Sequence, residues 1–182
     1  MKIYTKTGDG GETGLFDGTR VSKSDARVAT YGDVDEVNAW VGFARSRVLD
    51  QPDIAEILLE IQRDLFALGA RLADPRRKIA ERVTKADIGP SAIARLEQWI
   101  DTLESTLPPL RRFILAGGSE AGSALHVART VCRRAERAVV ALRENDTALE
   151  PELIIYLNRL SDLLFVAARA VNSRAHAPEI EW

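Results

Sequence analysis

The chain has 182 residues, of which 46% are hydrophobic and 29% are charged, with 25 Lys and Arg against 27 Asp and Glu. This length fits one domain with a substantial core, and the balanced charge excludes a generally basic protein that coats nucleic acid. No apolar run approaches the ~20 residues of a membrane span, and the N-terminus lacks the apolar region of a signal peptide. Because the single cysteine, Cys132, cannot form an internal disulfide, we expect a protein of a reducing compartment, the cytoplasm.

Two helices are predicted after a stretch of about 20 residues that is rich in Gly and Thr. The first spans about 22 to 50, where Ser22 or Ser24 is a possible cap and apolar residues recur at helical spacing from Val28 to Val41. The second spans 52–73, with Pro52 in its first turn and Pro75 at its end. Its apolar seam has a 4-3-4-3-4 spacing and consists of Ile54, Leu58, Ile61, Leu65, Leu68 and Leu72.

Three more helices are predicted beyond a charged, irregular loop at 74–90. They span 91–107, about 120–144 and about 150–175, and the last repeats the 4-3-4-3-4 seam from Leu153 to Val171. No segment alternates between apolar and polar residues over a convincing strand length. The sequence therefore predicts an all-α, five-helix bundle without a second domain.

Several kinds of catalytic site are absent from the sequence. His126 and His176 have no partners at metal-ligand spacing, and Glu-x-x-His pairs are missing, so zinc and di-iron sites are excluded. There is no Gly-x-x-x-x-Gly-Lys-Ser/Thr loop, and the glycines at 8–14 fall one residue short of the dinucleotide-binding pattern. We expect neither a metal site formed by protein ligands alone nor a Ser, Cys or His nucleophile.

The N-terminal segment is the first candidate site. Residues 5–14 read TKTGDGGETG, and Lys23 follows. Glycines let backbone N–H groups turn toward an anion, while the threonine hydroxyls and the lysines add donors and positive charge. The segment therefore suits a phosphate group, although a flexible, solvated tail has the same composition.

Arginines on the fourth predicted helix form the second candidate. Arg129, Arg133 and Arg137 are spaced i, i+4, i+8, which stacks three guanidinium groups on one face within ~12 Å, with Arg134 beside them. Like charges at this spacing repel unless an anion lies among them. A phosphate site and a set of structural salt bridges both remain open. Acidic partners are available at Asp33, Asp35 and Glu36, and at Asp162.

Five stretches, in this order and spacing, resemble the PduO-type ATP:cob(I)alamin adenosyltransferases over essentially the whole chain. One departure is visible, since the family usually has proline where this chain has Ala116. The matching stretches are KIYTKTGD at 2–9, YGDVDEVN at 31–38, FILAGG at 113–118, LHVARTVCRRAER at 125–137 and LNRLSD at 157–162.

The resemblance implies a ferritin-like, left-handed five-helix bundle in one domain of residues 1–182, with an ATP-binding segment at 1–21 and the bundle at 22–182. It implies a homotrimer with active sites between subunits, and transfer of the 5′-deoxyadenosyl group of ATP, with Mg²⁺, to the cobalt of reduced cobalamin. A flavin-type reductase and a B12-dependent enzyme are further expected partners. Nucleic acid and membrane are not.

Site residues follow from the motif positions. Phe113 corresponds to the family's aromatic residue under the corrin ring, and Asp35 with Arg129 to an ion pair between subunits. The positions that would contact the nucleotide are Thr5, Lys6, Thr7, Gly8, Thr13, Gly14, Lys23, Arg133, Arg134, Glu136, Arg137 and Asn158.

This reaction suits the residue inventory, because cobalt(I) is itself the nucleophile and the leaving triphosphate needs only cations and backbone donors. An apolar wedge such as Phe113 would favour the four-coordinate cobalt that is easier to reduce. Two alternatives stay open on the residues alone. One is a catalytically silent, nucleotide-binding regulator on the same bundle, and the other is a structural helical protein whose arginines form salt bridges.

Overall fold

The computed structural model describes residues 2–76 and 88–182, and within them five helices and one short hairpin are found. The all-α, five-helix bundle is thereby confirmed for the described residues, although most of the predicted loop at 74–90 lies outside them. No helix of the described part is long and apolar enough to cross a membrane. The elements are β1 (Glu12–Gly14), β2 (Arg20–Ser22), α1 (Ala26–Arg45), α2 (Pro52–Leu72), α3 (Pro90–Glu104), α4 (Glu120–Asn145) and α5 (Pro151–Arg174).

The helix starts follow local sequence signals, with one correction. Prolines occupy the first turn of α2, α3 and α5, where a missing N–H breaks no helical hydrogen bond. The prediction that Ser22 or Ser24 caps α1 is wrong. Asp25 is the cap, because its side chain accepts a hydrogen bond from the backbone N–H of Arg27 at 2.8 Å. Ser22 belongs to β2 instead, so α1 begins at Ala26.

The helices pack through the predicted seams. Every residue of the α2 seam from Ile54 to Leu72 and every residue of the α5 seam from Leu153 to Val171 is buried. Helix α4 packs against both α1 and α5, while α2 packs on α1 and α3 packs on α5. Because α4 contacts two helices, its buried face is broad, and its remaining charged residues are confined to the opposite side.

A hairpin that the sequence did not predict forms within the N-terminal segment. Strands β1 and β2 pair antiparallel, with Thr13 opposite Val21. Each strand has three residues, which is too short to produce a recognisable alternation. The hairpin is attached to the bundle by a hydrogen bond from Phe16 N–H to the Ala73 carbonyl at 2.9 Å, just beyond the end of α2.

Arg27 connects three elements at this end of the bundle. It is buried at the first turn of α1, where the periodicity had predicted Val28 on the buried face. Its guanidinium donates to the Leu72 carbonyl at 2.7 Å and pairs with Asp146, in the connection between α4 and α5. The charge of Arg27 is therefore satisfied in place, which a buried arginine requires.

We expect Arg27→Ala to lower the free energy of unfolding by about 1.5–3 kcal/mol, the range for a hydrogen bond to a charged group. Denaturant titration measures the change. Arg63→Ala is the control, because Arg63 forms an exposed ion pair with Glu60 within α2, and its loss should change stability by at most about 0.5 kcal/mol. Equal effects of the two substitutions would contradict the role of Arg27 as an anchor.

Candidate active site

The N-terminal loop, residues 5–11, is shaped by close contacts around Gly8. The Thr5 and Thr7 hydroxyls are hydrogen bonded at 2.9 Å, and Arg20 donates to the Thr7 carbonyl at 2.8 Å. A Cβ on Gly8 would lie 3.3 Å from both the Glu12 carbonyl oxygen and Lys23 Nζ, so only glycine fits without displacement there. The Lys23 N–H donates to the Gly11 carbonyl at 2.8 Å.

Lys23 is thus held at the edge of this loop, with its ammonium group beside Gly8. Thr5, Lys6 and Thr7 are exposed, and Thr13 on β1 is half-buried. Gly14 has open space around it and requires no glycine on steric grounds. The structure therefore brings Gly8 and Lys23 together. The exposed side chains of Lys23 and of residues 5–7 are available to donate hydrogen bonds to an anion.

The arginine row of α4 consists of Arg129, Arg133 and Arg137, three positive charges on one face of the helix. None of the three forms an ion pair with a described residue. The buried Arg129 Nε has no hydrogen-bond partner among the described residues, and the Arg129 guanidinium lies 5.9 Å from the centre of the Phe165 ring. Burial and, to a smaller extent, the charge of Arg133 lower the pKa of Arg129. A carboxylate or phosphate beside the row would stabilise it.

A cavity of about 290 Å³ opens next to this row, between α3, α4 and α5. Its wall combines positive, negative and apolar groups, which suits a ligand with a charged part and an apolar part. The residues that define it include Glu104, Arg129, Arg133, Ser161, Asp162 and Phe165.

The neighbouring candidates have partners within the subunit. Arg134 pairs with Glu36 and lies 3.4 Å from Asp33, which joins α4 to α1. Asn158 on α5 donates to Glu136 on α4 at 3.1 Å. Glu136 and Asn158 are therefore brought together. Arg134 is instead held by the two carboxylates on α1.

Asp35 is exposed on α1 and forms no ion pair with a described residue, and Arg129 is not its partner within one subunit. No hydrogen bond or ion pair of the described part joins the N-terminal loop to the arginine row either. One subunit therefore contains two separate groups of predicted site residues. A pairing of Asp35 with Arg129 requires a second copy of the chain and stays a prediction.

Phe113 lies in the connection between α3 and α4, and its side chain is 80% exposed. It is therefore no core residue of the subunit. Its backbone is fixed, because the Trp182 N–H donates to the Phe113 carbonyl at 2.9 Å and the Leu115 N–H donates to the Ile180 carbonyl at 2.8 Å. An exposed aromatic ring on a fixed backbone is suited to contact a flat, apolar ligand face.

Sequence reasoning missed the residues that hold this connection. Arg169 and Asn172 on α5 are both buried, and they hydrogen bond to Pro108 and Gly117 at the two ends of the connection. The available signal was that these two polar side chains interrupt a run of apolar residues in α5. Buried polar side chains in such a run need partners elsewhere in the fold.

A family model for cobalamin adenosyltransferases matches residues 3–171 of the chain. The chain belongs to this family. The corrinoid adenosyltransferase of Bacillus subtilis (strain 168) is 43% identical over 185 residues, which cover 100% of this chain and 92% of that protein. The corrinoid adenosyltransferase of Mycobacterium tuberculosis (strain ATCC 25618 / H37Rv) is 48% identical over 179 residues, which cover 94% and 89%.

Solved structures agree with this family membership. A phenylalanine-to-histidine variant of a PduO-type ATP:corrinoid adenosyltransferase from Lactobacillus reuteri, complexed with cobalamin and ATP, has a TM-score of 0.91 at 40% identity. That alignment covers 100% of this chain and 96% of the other. An arginine-to-lysine variant from the same organism, complexed with ATP, has a TM-score of 0.85 at 40% identity and covers 99% of both chains. The predicted PduO-type resemblance is confirmed.

His126 lies one helical turn before Arg129 on α4, and its burial predicts that the folding stability of the protein depends on pH. It is 4% exposed, and neither of its ring nitrogens has a hydrogen-bond partner in the part of the chain that the structure describes. Burial, reinforced by Arg129 and weakly opposed by Glu179, lowers the pKa of His126 below its ordinary value of 6.5. The folded protein therefore keeps His126 neutral at pH values where the unfolded chain protonates it.

We expect folding stability contributed by neutral His126 to be present above pH 6.5 and lost as the pH falls below that value. Melting temperatures measured between about pH 7.5 and 5.5 should therefore fall less in His126→Leu than in the wild type. His176→Gln removes the other histidine and should keep the wild-type slope. Identical slopes for the wild type and His126→Leu would contradict this assignment.

Proposed function

We propose that the protein transfers the 5′-deoxyadenosyl group of ATP to the cobalt of reduced cobalamin and releases triphosphate. It is a corrinoid adenosyltransferase, an enzyme that uses ATP and cobalamin as substrates, as its solved relatives complexed with both indicate. The observation that carries the proposal is the arginine row of α4, three guanidinium groups on one face that pair with no described carboxylate. A triphosphate leaving group is the anion that such a row can hold.

The nucleotide is proposed to lie between an arginine row and an N-terminal loop, in a site that is complete only between subunits. Thr5, Lys6, Thr7, Gly8, Thr13, Gly14 and Lys23 would contact it from the N-terminal segment, and Arg133, Arg134, Glu136, Arg137 and Asn158 from the helices. Support comes from the exposed donors of the loop and from the hydrogen bond between Asn158 and Glu136. For Arg134 the proposal requires the side chain to contact phosphate while it stays paired with Glu36.

Magnesium enters with ATP as part of the substrate. The described residues contain no cluster of three or more His, Cys, Asp or Glu side chains that could hold an ion. Mg²⁺ on a nucleotide typically needs only one or two carboxylates besides the phosphates. Carboxylates near Arg133 are Glu136, three residues further along α4, and Asp162, which lines the same cavity.

The reaction needs no protein nucleophile, because cobalt(I) attacks the ribose C5′ and the C5′–O bond to triphosphate breaks. The side chains near α4 agree with this. Cys132 is buried, and burial raises the pKa of its thiol far above its ordinary value, so it stays protonated. The role left to the protein is to orient the two substrates and to stabilise the charge of the departing triphosphate.

The assembly is proposed to be a homotrimer in which Asp35 of one subunit pairs with Arg129 of the next. Among the described residues of its own subunit, the buried Arg129 Nε lacks a hydrogen-bond partner, and Asp35 is exposed and forms no ion pair. Pairing between subunits would give each of these two side chains a partner of opposite charge.

We further propose that residues 1–182 act as one domain and that the enzyme works in the cytoplasm. A flavin-type reductase would supply the reduced corrinoid, and a B12-dependent enzyme would receive the product.

The direct test is the absorbance change of adenosylcobalamin formation from MgATP and chemically reduced cobalamin. The wild type should form product, and Arg133→Ala should raise the ATP concentration needed by about 10- to 150-fold, the equivalent of one lost charge-assisted contact. Arg63→Ala, on the exposed side of α2, is the matched control and should behave as the wild type.

Other outcomes identify the alternatives. ATP binding without any product would indicate a nucleotide-binding regulator. If ATP does not raise the melting temperature, and if Arg133→Ala unfolds the protein but leaves normal kinetics in the folded fraction, the arginines are structural.

Phe113→Ala should separate the two substrates. The exposed ring is proposed to fill the space under the corrin and keep a lower ligand away from cobalt, without contacting ATP. Turnover that starts from cobalt(II) should collapse, whereas turnover from pre-reduced cobalt(I) should fall less and ATP affinity should stay within a few-fold. Rates from both cobalt states, ATP affinity and melting temperature are measured on one preparation. Equal loss of both rates would contradict the wedge.

A further inference from the structure

Two buried polar side chains on α5 are not used by the proposed chemistry. Arg169 is 2% exposed and Asn172 is 4% exposed, and their neighbours Ala168, Ala170 and Val171 belong to the apolar core. Burying a guanidinium among apolar groups is unfavourable unless hydrogen bonds compensate for the lost water. The contacts of these side chains therefore show what they hold.

Arg169 binds two segments that are far apart in sequence. Its Nε donates to Glu179 Oε1 at 2.7 Å, and its terminal nitrogen donates to the Pro108 carbonyl at 2.9 Å. Pro108 lies near the start of the connection between α3 and α4, which carries Phe113. Glu179 lies beyond the end of α5, in the C-terminal residues. One buried charge thus joins the C-terminus to the Phe113 connection.

Asn172 holds the other end of the same connection. Its Nδ2 donates to the Gly117 carbonyl at 2.8 Å, and its Oδ1 accepts from the Ser119 N–H at 2.8 Å. Gly118 adopts a φ of +107° here, and a Cβ on it would lie 2.3 Å from Asn172, so both its backbone angle and the close approach require glycine. The connection is therefore fixed at both ends by α5.

The C-terminal strap, residues 178–182, fixes its middle. After α5 the chain reverses at His176, whose φ is +53°, and returns alongside residues 113–115. Hydrogen bonds at 2.8 and 2.9 Å join Leu115 to Ile180 and Trp182 to Phe113. Since the Phe113 ring is 80% exposed, the position of this ring within the subunit depends on these backbone contacts and not on packing.

We propose that Arg169 and Glu179 are positioning residues. Through the C-terminal strap they set the distance between the Phe113 ring and the lower face of the corrin. The inference rests on the proposed role of Phe113 as the wedge under the corrin. A wedge excludes a ligand only if it fills the space, and misplacement by about 1 Å can reduce a rate by about 100-fold. Releasing Glu179 removes the contact of the strap with Arg169 on α5. Beyond Ala177 the strap is then held by its hydrogen bonds to residues 113–115 and by the ion pair of Glu181 with Arg112, so the Phe113 backbone is less firmly fixed.

The test uses Glu179→Ala in the full chain, with cobalt(II) cobalamin and MgATP bound. Electron paramagnetic resonance of the folded variant, saturated with cobalamin, measures the fraction of four-coordinate cobalt. The melting temperature of the same sample shows whether a loss of stability contributes to any change. We expect this fraction to fall and turnover from cobalt(II) to drop about tenfold or more, while ATP affinity and turnover from cobalt(I) stay within about twofold. Glu179→Gln, which can still accept from Arg169, should show a smaller change in the same direction.

Glu181→Gln is the matched control, because Glu181 lies in the same strap but, among the described residues, forms its ion pair with exposed Arg112 at 3.4 Å and not with buried Arg169. It should keep the wild-type fraction. If Glu179→Ala does not fold, the Glu179→Gln result decides. An unchanged four-coordinate fraction in the folded Glu179 variant overturns the inference. If Phe113→Ala lowers the four-coordinate fraction and the Glu179 variant does not, only the positioning role is contradicted. If Phe113→Ala leaves the fraction unchanged, the proposed role of Phe113 as the wedge is itself contradicted.

Discussion

The arginine row on one face of α4 has no ion-pair partner among the described residues, and the proposed binding of ATP and of a second subunit both depend on this positive charge. The opposite face is committed to the core, where Val131, Ala135 and Val139 are buried, so the bundle fixes Arg129, Arg133 and Arg137 as neighbours. Like charges at this spacing repel, and burial adds a further penalty at Arg129. No described carboxylate forms an ion pair with this arginine row, although Glu104 and Asp162 line the same cavity. An anion and a second copy of the chain are the two partners that would relieve it.

The proposed chemistry follows from that constraint. A reaction whose nucleophile is a metal in the substrate and whose leaving group is a triphosphate needs positive charge and orientation, not a reactive side chain. This matches a chain in which Cys132 is buried and protonated and His126 is buried and neutral. In this proposal the corrin is contacted separately, by the exposed Phe113, whose backbone is held by α5 and the C-terminal strap. The two substrates are thus served by different parts of the bundle.

Local patterns in the sequence were sufficient for the helices but not for the contacts between distant segments. The 4-3-4-3-4 seams predicted α2 and α5 because burial of one helix face is encoded in short periodicity. The hairpin of residues 12–22 was missed because each strand has only three residues. The contact of Asn172 with Gly117 spans 55 residues, and that of Arg134 with Glu36 spans 98. Such pairs have no local signature, so the strap and the pairing of Arg134 required the structure.

Whether the arginine row binds the triphosphate leaving group is tested most directly by a calorimetric titration with inorganic triphosphate, which lacks the nucleoside. We expect that the wild type binds triphosphate, that the affinity falls as salt rises because the contact is between charges, and that Arg133→Gln weakens binding at least tenfold without lowering the melting temperature. Absence of triphosphate binding, or equal affinity in the wild type and Arg133→Gln, would contradict the assignment of the arginine row to the leaving group.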